Sequence, residues 1–103
     1  MRTVDALASP LGAIYQYPVT RVEIYTTPNC PFCVRAKRLL DARGIPFLEI
    51  DVATDDLLRA EIIQRTGRYT VPQIFIDERS IGGFQELAAL DAAGELAGLT
   101  RDG

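Results

Sequence analysis

Arg21-Val22-Glu23-Ile24-Tyr25-Thr26-Thr27-Pro28-Asn29-Cys30-Pro31-Phe32-Cys33 carries three local signals within thirteen residues. Residues 21–26 alternate polar and apolar positions, with Val22 and Ile24 on one side, the period of a half-buried strand. Thr27-Pro28-Asn29 is loop chemistry. Pro31 suits the first position of a helix, where its missing N–H is no loss and its φ is already helical. Both cysteines of the chain therefore fall where a strand hands over to a helix.

The pattern extends outward from there. The helix is expected to run to about Arg43, with Val34, Ala36, Leu39 and Leu40 available for burial and Gly44 as its stop. Residues 46–52 are expected as a second strand. Asp55-Asp56 opens a second helix with charges suited to its N-terminal dipole; Leu58, Ile62 and Ile63 give its buried face and Gly67 ends it. Residues 71–77 are a third strand. Asp77-Glu78-Arg79-Ser80 turns into a short fourth strand ending at Gly82-Gly83, antiparallel because the connection is so short. A last helix runs from Phe84 or Gln85 to Ala93 with Leu87, Leu90 and Ala88 inward. Gly94 closes it, and residues 95–100 add a final turn. Parallel strands joined by crossover helices, then a hairpin, predict an α/β domain. Its order is β-α-β-α-β-β-α, a four-stranded mixed sheet with helices on both faces, the thioredoxin-like arrangement. The domain spans residues 21–103. Residues 1–20, broken by Pro10, Gly12 and Pro18, form an extension with Leu11, Ile14, Tyr15 and Tyr17 as its apolar positions.

Composition narrows the function classes. The 103 residues are 48% hydrophobic and 24% charged, with net charge −3, which fits one small globular domain and forces no large basic surface. Nucleic acid is accordingly not the expected partner. The charge is uneven: residues 34–43 hold Arg35, Lys37, Arg38 and Arg43 against Asp41, and residues 84–103 hold Glu86, Asp91, Glu95 and Asp102 against Arg101. The first run is either a solvated helix face or a positive rim beside Cys30 that favours anionic substrates. No run matches a signal peptide or the ~20 apolar residues of a membrane span. A cytoplasmic protein without membrane partners is expected.

Two cysteines and no histidine leave too few ligands for a four-ligand zinc site, so no metal is expected. As a staple the pair is weak: closing so short a loop gives roughly 2 kcal/mol, below the ~3 kcal/mol of a 15-residue loop. Redox use fits better. The attacking species in disulfide exchange is the thiolate, and an ordinary cysteine is only a few per cent ionised at neutral pH. A helix N-terminus contributes about 0.3–1 kcal/mol, ~2 when partly buried, against ~1.4 kcal/mol for each pKa unit. The dipole alone is therefore insufficient, and N–H···S contacts from Phe32 and Cys33, or a cation such as Lys37, have to supply the rest. Cys30 is expected to be the reactive sulfur and Cys33 the more buried one.

Residues 21–94 resemble a bacterial dithiol glutaredoxin of the C-P-[YF]-C type. The matching residues are Cys30-Pro31-Phe32-Cys33, then Gly67-Arg68-Tyr69-Thr70-Val71-Pro72-Gln73-Ile74-Phe75-Ile76, then Ile81-Gly82-Gly83 with Glu86-Leu87. The resemblance implies a glutathione-dependent thiol–disulfide oxidoreductase acting on protein–glutathione mixed disulfides and protein disulfides. Glutathione is then its reductant, with no permanently bound cofactor. Cys30 would attack, and Cys33 would resolve mixed disulfides into the Cys30–Cys33 disulfide. Val71-Pro72 matches the family's cis-proline loop, which pairs with an extended substrate backbone. Gly82-Gly83 before a helix matches its site for the γ-glutamyl carboxylate, with Glu86 facing the ligand's ammonium. The implied glutathione-binding residues are Phe32, Tyr69, Thr70, Val71, Pro72, Gly83, Phe84, Gln85 and Glu86. Thr27 stands where many relatives place lysine, and Tyr69 where some place arginine, which leaves Lys37 and Arg68 as electrostatic support. Phe84 stands where a smaller residue is common. The implied partners are glutathione and glutathionylated or disulfide-containing proteins, ribonucleotide reductase among them, met by a monomer.

Two other readings compete. Thr26-Thr27-Pro28-Asn29-Cys30 and the Gly-Phe step at Gly83-Phe84 are similar to redoxins that serve ribonucleotide reductase and are reduced by thioredoxin reductase. Thr70-Val71-Pro72 and Pro31 depart from those. A glutathione-ligated [2Fe–2S] dimer is the other; relatives specialised for it carry Gly after the first cysteine, where this chain has the stiffer Pro31.

Overall fold

The computed structural model describes residues 21–99, so the expected extension at residues 1–20 lies outside the described residues. The elements are β1 (Val22–Thr26), α1 (Pro31–Ala42), β2 (Leu48–Asp51), α2 (Asp56–Thr66), β3 (Gln73–Ile76), β4 (Arg79–Gly82) and α3 (Phe84–Ala92), followed by a 3₁₀ turn at Ala97–Leu99. The strands form one mixed sheet in the order β2-β1-β3-β4.

Alternation along the central strands divides the core into two layers. Val22 and Ile24 of β1 and Ile74 of β3 bury against Ala36 and Leu40 of α1 and Leu87 of α3. Tyr25 and Phe75 project to the opposite face and meet Ile62 of α2 and Val52. Their rings stand edge to face at 5.5 Å, the arrangement favoured by the aromatic quadrupole. Helices thus cover both faces, α1 with α3 on one and α2 on the other.

The local signals locate the helices well. Pro31 opens α1, and Gly44 (φ +68°) and Gly67 (φ +72°) follow α1 and α2 in the left-handed conformation that glycine adopts at least cost. Asp55 caps α2 by accepting from the Leu58 N–H at 3.0 Å. Asp55→Ala is expected to cost about 1 kcal/mol. It should lower the urea midpoint with the m-value unchanged, and an unmoved midpoint would count against the cap.

Three expectations change. Val34 is 40% exposed, because the inward face of α1 runs through Cys33, Ala36 and Leu40, and Val34 lies about 100° from Cys33 around the axis. The β3–β4 turn is shorter than expected. Asp77 and Glu78 both take positive φ (51° and 70°), Ile76 pairs with Arg79, and Arg79 and Ser80 belong to β4. Arg21 ties this turn down, donating its N–H to Asp77 Oδ1 at 2.9 Å and accepting the Asp77 N–H at 2.8 Å. The third change positions the site: only β2 runs parallel to β1, whereas β3 is antiparallel to it. The connection through α2 returns to the end of the sheet that it left instead of crossing it.

That direction brings the motifs together. Tyr25 near the end of β1 pairs with Gln73 at the start of β3, and Ile74 pairs with Gly82 at the end of β4. Cys30, Val71-Pro72 and Gly82-Gly83 therefore meet at one end of the sheet. A β3 parallel to β1 would have put Val71 at the opposite end.

Candidate active site

After β1 the chain turns through Asn29, whose φ of 60° suits a residue tolerant of the left-handed region, and reaches Cys30 in extended conformation. Cys30 is the N-cap of α1. Its Sγ accepts the Cys33 backbone N–H at 3.2 Å, the role a Ser or Asp oxygen usually fills. The thiol donates toward the Val71 carbonyl at 3.7 Å. The expected N–H···S contact is therefore present from Cys33, and the proline loop meets the same sulfur. The Val71-Pro72 peptide bond is cis.

Both cysteines are free thiols and their surroundings differ. Cys30 is partly exposed, while Cys33 is 1% exposed. Burial, then the hydrogen bond and charge of Cys30, push the Cys33 thiol up to about 12. With its pKa raised, Cys33 stays protonated through the neutral range and ionises only in strong alkali. Iodoacetamide applied to the native reduced protein at pH 7–9 is thus expected to leave Cys33 unmodified. Mass mapping that found both cysteines alkylated at equal rates would contradict this environment.

Beside Cys30 lies a cleft of about 270 Å³ lined by Phe32, Arg68, Thr70, Val71, Pro72, Gly83, Phe84, Gln85 and Glu86. The loop before β3 forms one wall. Thr66 Oγ1 fixes its beginning by accepting the Arg68 N–H at 3.0 Å, and the buried Gln73 holds its end by donating Nε2 to the Thr70 carbonyl at 3.0 Å. Arg68 and Thr70 face the cleft; Tyr69 between them falls outside this lining and is 74% exposed.

The start of α3 forms the opposite wall. Glu86 turns back on its own helix, accepting the Gly83 N–H with Oε1 at 2.7 Å while Arg68 approaches the same oxygen at 3.5 Å. The Gly83 N–H, ahead of the Arg68 guanidinium, holds the Glu86 carboxyl below the usual carboxylate range. At the helix start the N–H groups of Phe84 and Gln85 have no intrahelical acceptor. Gly83 is close-packed, since a Cβ there would stand 3.2 Å from the Pro72 carbonyl oxygen.

Lys37 lies elsewhere. Its Nζ pairs with Glu49 of β2 at 2.9 Å, and Glu49 also accepts the hydroxyl of buried Thr26 at 2.8 Å. These two contacts hold the Glu49 carboxyl down, and the lysine charge lowers the Cys33 thiol only slightly against its burial. One supporting residue, Gln73, is absent from those expected at the site. Gln73 is a polar residue opening an otherwise apolar strand, a signal visible in the chain. Arg35 lies one turn after Phe32 and rests on the rings of Phe32 and Phe84, outside the cleft lining.

Residues 22–81 match the glutaredoxin family model. The chain belongs to the glutaredoxin family. It is 51% identical over 78 residues to glutaredoxin 3 of Escherichia coli K12, an alignment covering 76% of this chain and 94% of that one. The solution structure of a Brucella melitensis glutaredoxin, 48% identical, superposes with a TM-score of 0.70 over 79% of this chain and 88% of that one. A buckwheat glutaredoxin solved in complex with glutathione, 27% identical, gives a TM-score of 0.73 over 81% and 78%. The chain is thus a thiol–disulfide oxidoreductase of the glutaredoxin family with the thioredoxin-like fold. Among the described residues of this glutaredoxin, no helix is long and apolar enough to cross a membrane, and no group of three or more His, Cys, Asp or Glu is arranged to hold a metal ion.

Proposed function

We propose that this glutaredoxin uses glutathione to reduce protein–glutathione mixed disulfides and protein disulfides, with Cys30 attacking and Cys33 resolving. The observation that carries the reading is a partly exposed Cys30, its Sγ accepting the Cys33 N–H and touching Val71 at the wall of a cleft of about 270 Å³. That volume is near the lower end of ligand pockets, about 300–1,000 Å³, and suits a tripeptide. The unfilled N–H groups of Phe84 and Gln85 favour a carboxylate at the start of α3. Glu86, already turned onto Gly83 and Arg68, faces a ligand ammonium only by leaving part of that network. The buckwheat relative, solved with glutathione, supports the same ligand.

Cys30 thiolate attacks the glutathione sulfur of the mixed disulfide. The protein sulfur leaves with the bonding pair and takes a proton from solvent. The thiolate of a second glutathione attacks the glutathione sulfur held on Cys30, releasing glutathione disulfide and restoring the Cys30 thiolate. With a protein disulfide, Cys30 instead holds the target until Cys33 attacks Cys30 Sγ, giving the Cys30–Cys33 disulfide and a free target thiol. Cys33 must lose its proton for this step. Cys30 contributes to holding that proton, and its contribution falls once its sulfur is in a mixed disulfide.

The test couples turnover of the mixed disulfide of glutathione and 2-mercaptoethanol to glutathione, glutathione reductase and NADPH. Steady turnover is expected. Turnover supported only by thioredoxin reductase would overturn glutathione dependence.

A further inference from the structure

We propose that Arg35, laid across the rings of Phe32 and Phe84, selects polypeptide substrates with an acidic side chain next to the disulfide-bonded cysteine. The inference rests on the reading of the cleft as a glutathione site and extends it to the other half of the substrate. The Arg35 guanidinium carbon is 4.8 Å from the Phe84 ring centroid and 5.5 Å from that of Phe32. The two rings are 6.3 Å apart, one from α1 and one from α3. A cation on two ring faces is held in place by the aromatic quadrupoles. The rings offer the guanidinium no hydrogen-bond acceptor, so its N–H donors, the fork that matches a carboxylate, stay available.

Among the described residues those donors lack an acid of their own. Among the described residues Arg21, Lys37, Arg43, Arg65 and Arg68 each have a carboxylate partner, and Arg35 has none. Arg38, Arg59 and Arg79 also lack one there, but Arg35 is the one stacked on residues that line the cleft. The first turn of α1 contains no acid to neutralise it. Phe32 is 47% exposed and carries the platform out to solvent.

Position separates this cation from the glutathione half. Phe32 and Phe84 line the cleft and Arg35 does not, so a tripeptide filling the cleft meets the rings and leaves the guanidinium outside its own contacts. In disulfide exchange the attacking, central and leaving sulfurs lie in line. With the glutathione sulfur central and its peptide in the cleft, the leaving polypeptide projects away from Cys30 across the lip. Arg35 is placed to meet a residue flanking its cysteine.

The test compares two glutathionylated peptides, identical except for Glu or Lys on either side of the cysteine, with the neutral mixed disulfide of glutathione and 2-mercaptoethanol. Single turnovers start from pre-reduced protein, so peptide preference is measured whether or not glutathione regenerates it. Failure of regeneration in the coupled assay would therefore count against the glutathione reading alone. Wild type is expected to prefer the Glu peptide by about two- to fivefold at low salt, the range of an exposed ion pair. The preference should fade at about 0.5 M salt as screening shortens the reach of the charge. Arg35→Gln should erase it, Arg35→Glu reverse it and Arg35→Lys keep part of it, all with an unchanged rate on the small disulfide. A preference that survives Arg35→Gln overturns the proposal. So does an equal loss on all three substrates, which would mean that Arg35 acts on the cleft or its packing.

Discussion

Cys30→Ser is expected to reduce turnover of a glutathione mixed disulfide by at least about a thousandfold, since removing a nucleophile in other enzymes costs up to roughly a millionfold. The expectation is chemical and not structural. Cys30 caps α1 through a side-chain atom that accepts the Cys33 N–H at 3.2 Å, and a serine oxygen fills that position at least as well. The variant should therefore match wild type in thermal unfolding while losing its chemistry. Cys33→Ser offers the contrast. The bond to Cys30 Sγ comes from the backbone N–H of residue 33, so it survives the substitution. This variant is expected to retain mixed-disulfide turnover of the same order as wild type and to lose reduction of protein disulfides, which needs a resolving thiol. Measuring both substrates on both variants checks the division of labour. An active Cys30→Ser variant, or a Cys33→Ser variant inactive on both substrates, would contradict it.

The parts of this site set by short stretches were legible in the chain. Pro31 after Cys30, Asp55 with Asp56, and Gly44 and Gly67 each set a helix boundary through a local backbone preference, and the helices start and end where those residues direct. The direction of β3 was not legible. Periodicity gives a strand's faces but not its sense, and the sense depends on which end of the sheet residues 67–72 return to. The Asp77-Glu78 turn was hidden for another reason: two acidic residues adopt a conformation usually signalled by Asn or Gly, supported from Arg21 just ahead of β1. Within the site, the C-x-x-C, Thr-Val-Pro and Gly-Gly motifs identified most of the cleft lining. Pairings between distant charges escaped the reading. Lys37 could as easily have reached toward Cys30 as toward Glu49, and the Glu86 carboxylate could have been left free in the cleft instead of turning onto the Gly83 N–H; only packing decides such choices.

Gly82→Ala is expected to be the most damaging small substitution at the cleft. Gly82 has φ +108°, where a residue with a Cβ is strained by about 1–3 kcal/mol. The added carbon would also stand 2.7 Å from Glu86 Oε1 and 2.8 Å from its Cγ and Cδ, so the whole carboxylate must move. Moving it breaks the bond from the Gly83 N–H and the approach of Arg68, and losing a cap costs about 0.5–2 kcal/mol. Together these give about 1.5–5 kcal/mol, or a fall in melting temperature of at least roughly 6 °C for a domain of this size. A double-mutant cycle with Glu86→Ala separates the two causes. Where the cap is already gone, Gly82→Ala should retain only the backbone strain and cost distinctly less. Acid supplies an independent check. The Glu86 carboxyl lies below its usual range in the folded protein, so its contribution is complete above the ordinary carboxylate pKa and is lost as pH falls through the lowered one. The stability gap between wild type and Glu86→Ala should therefore close on acidification. An equal cost of Gly82→Ala with and without Glu86 would show that the carboxylate has room to yield, and would leave the strained backbone as the sole reason for glycine at this position.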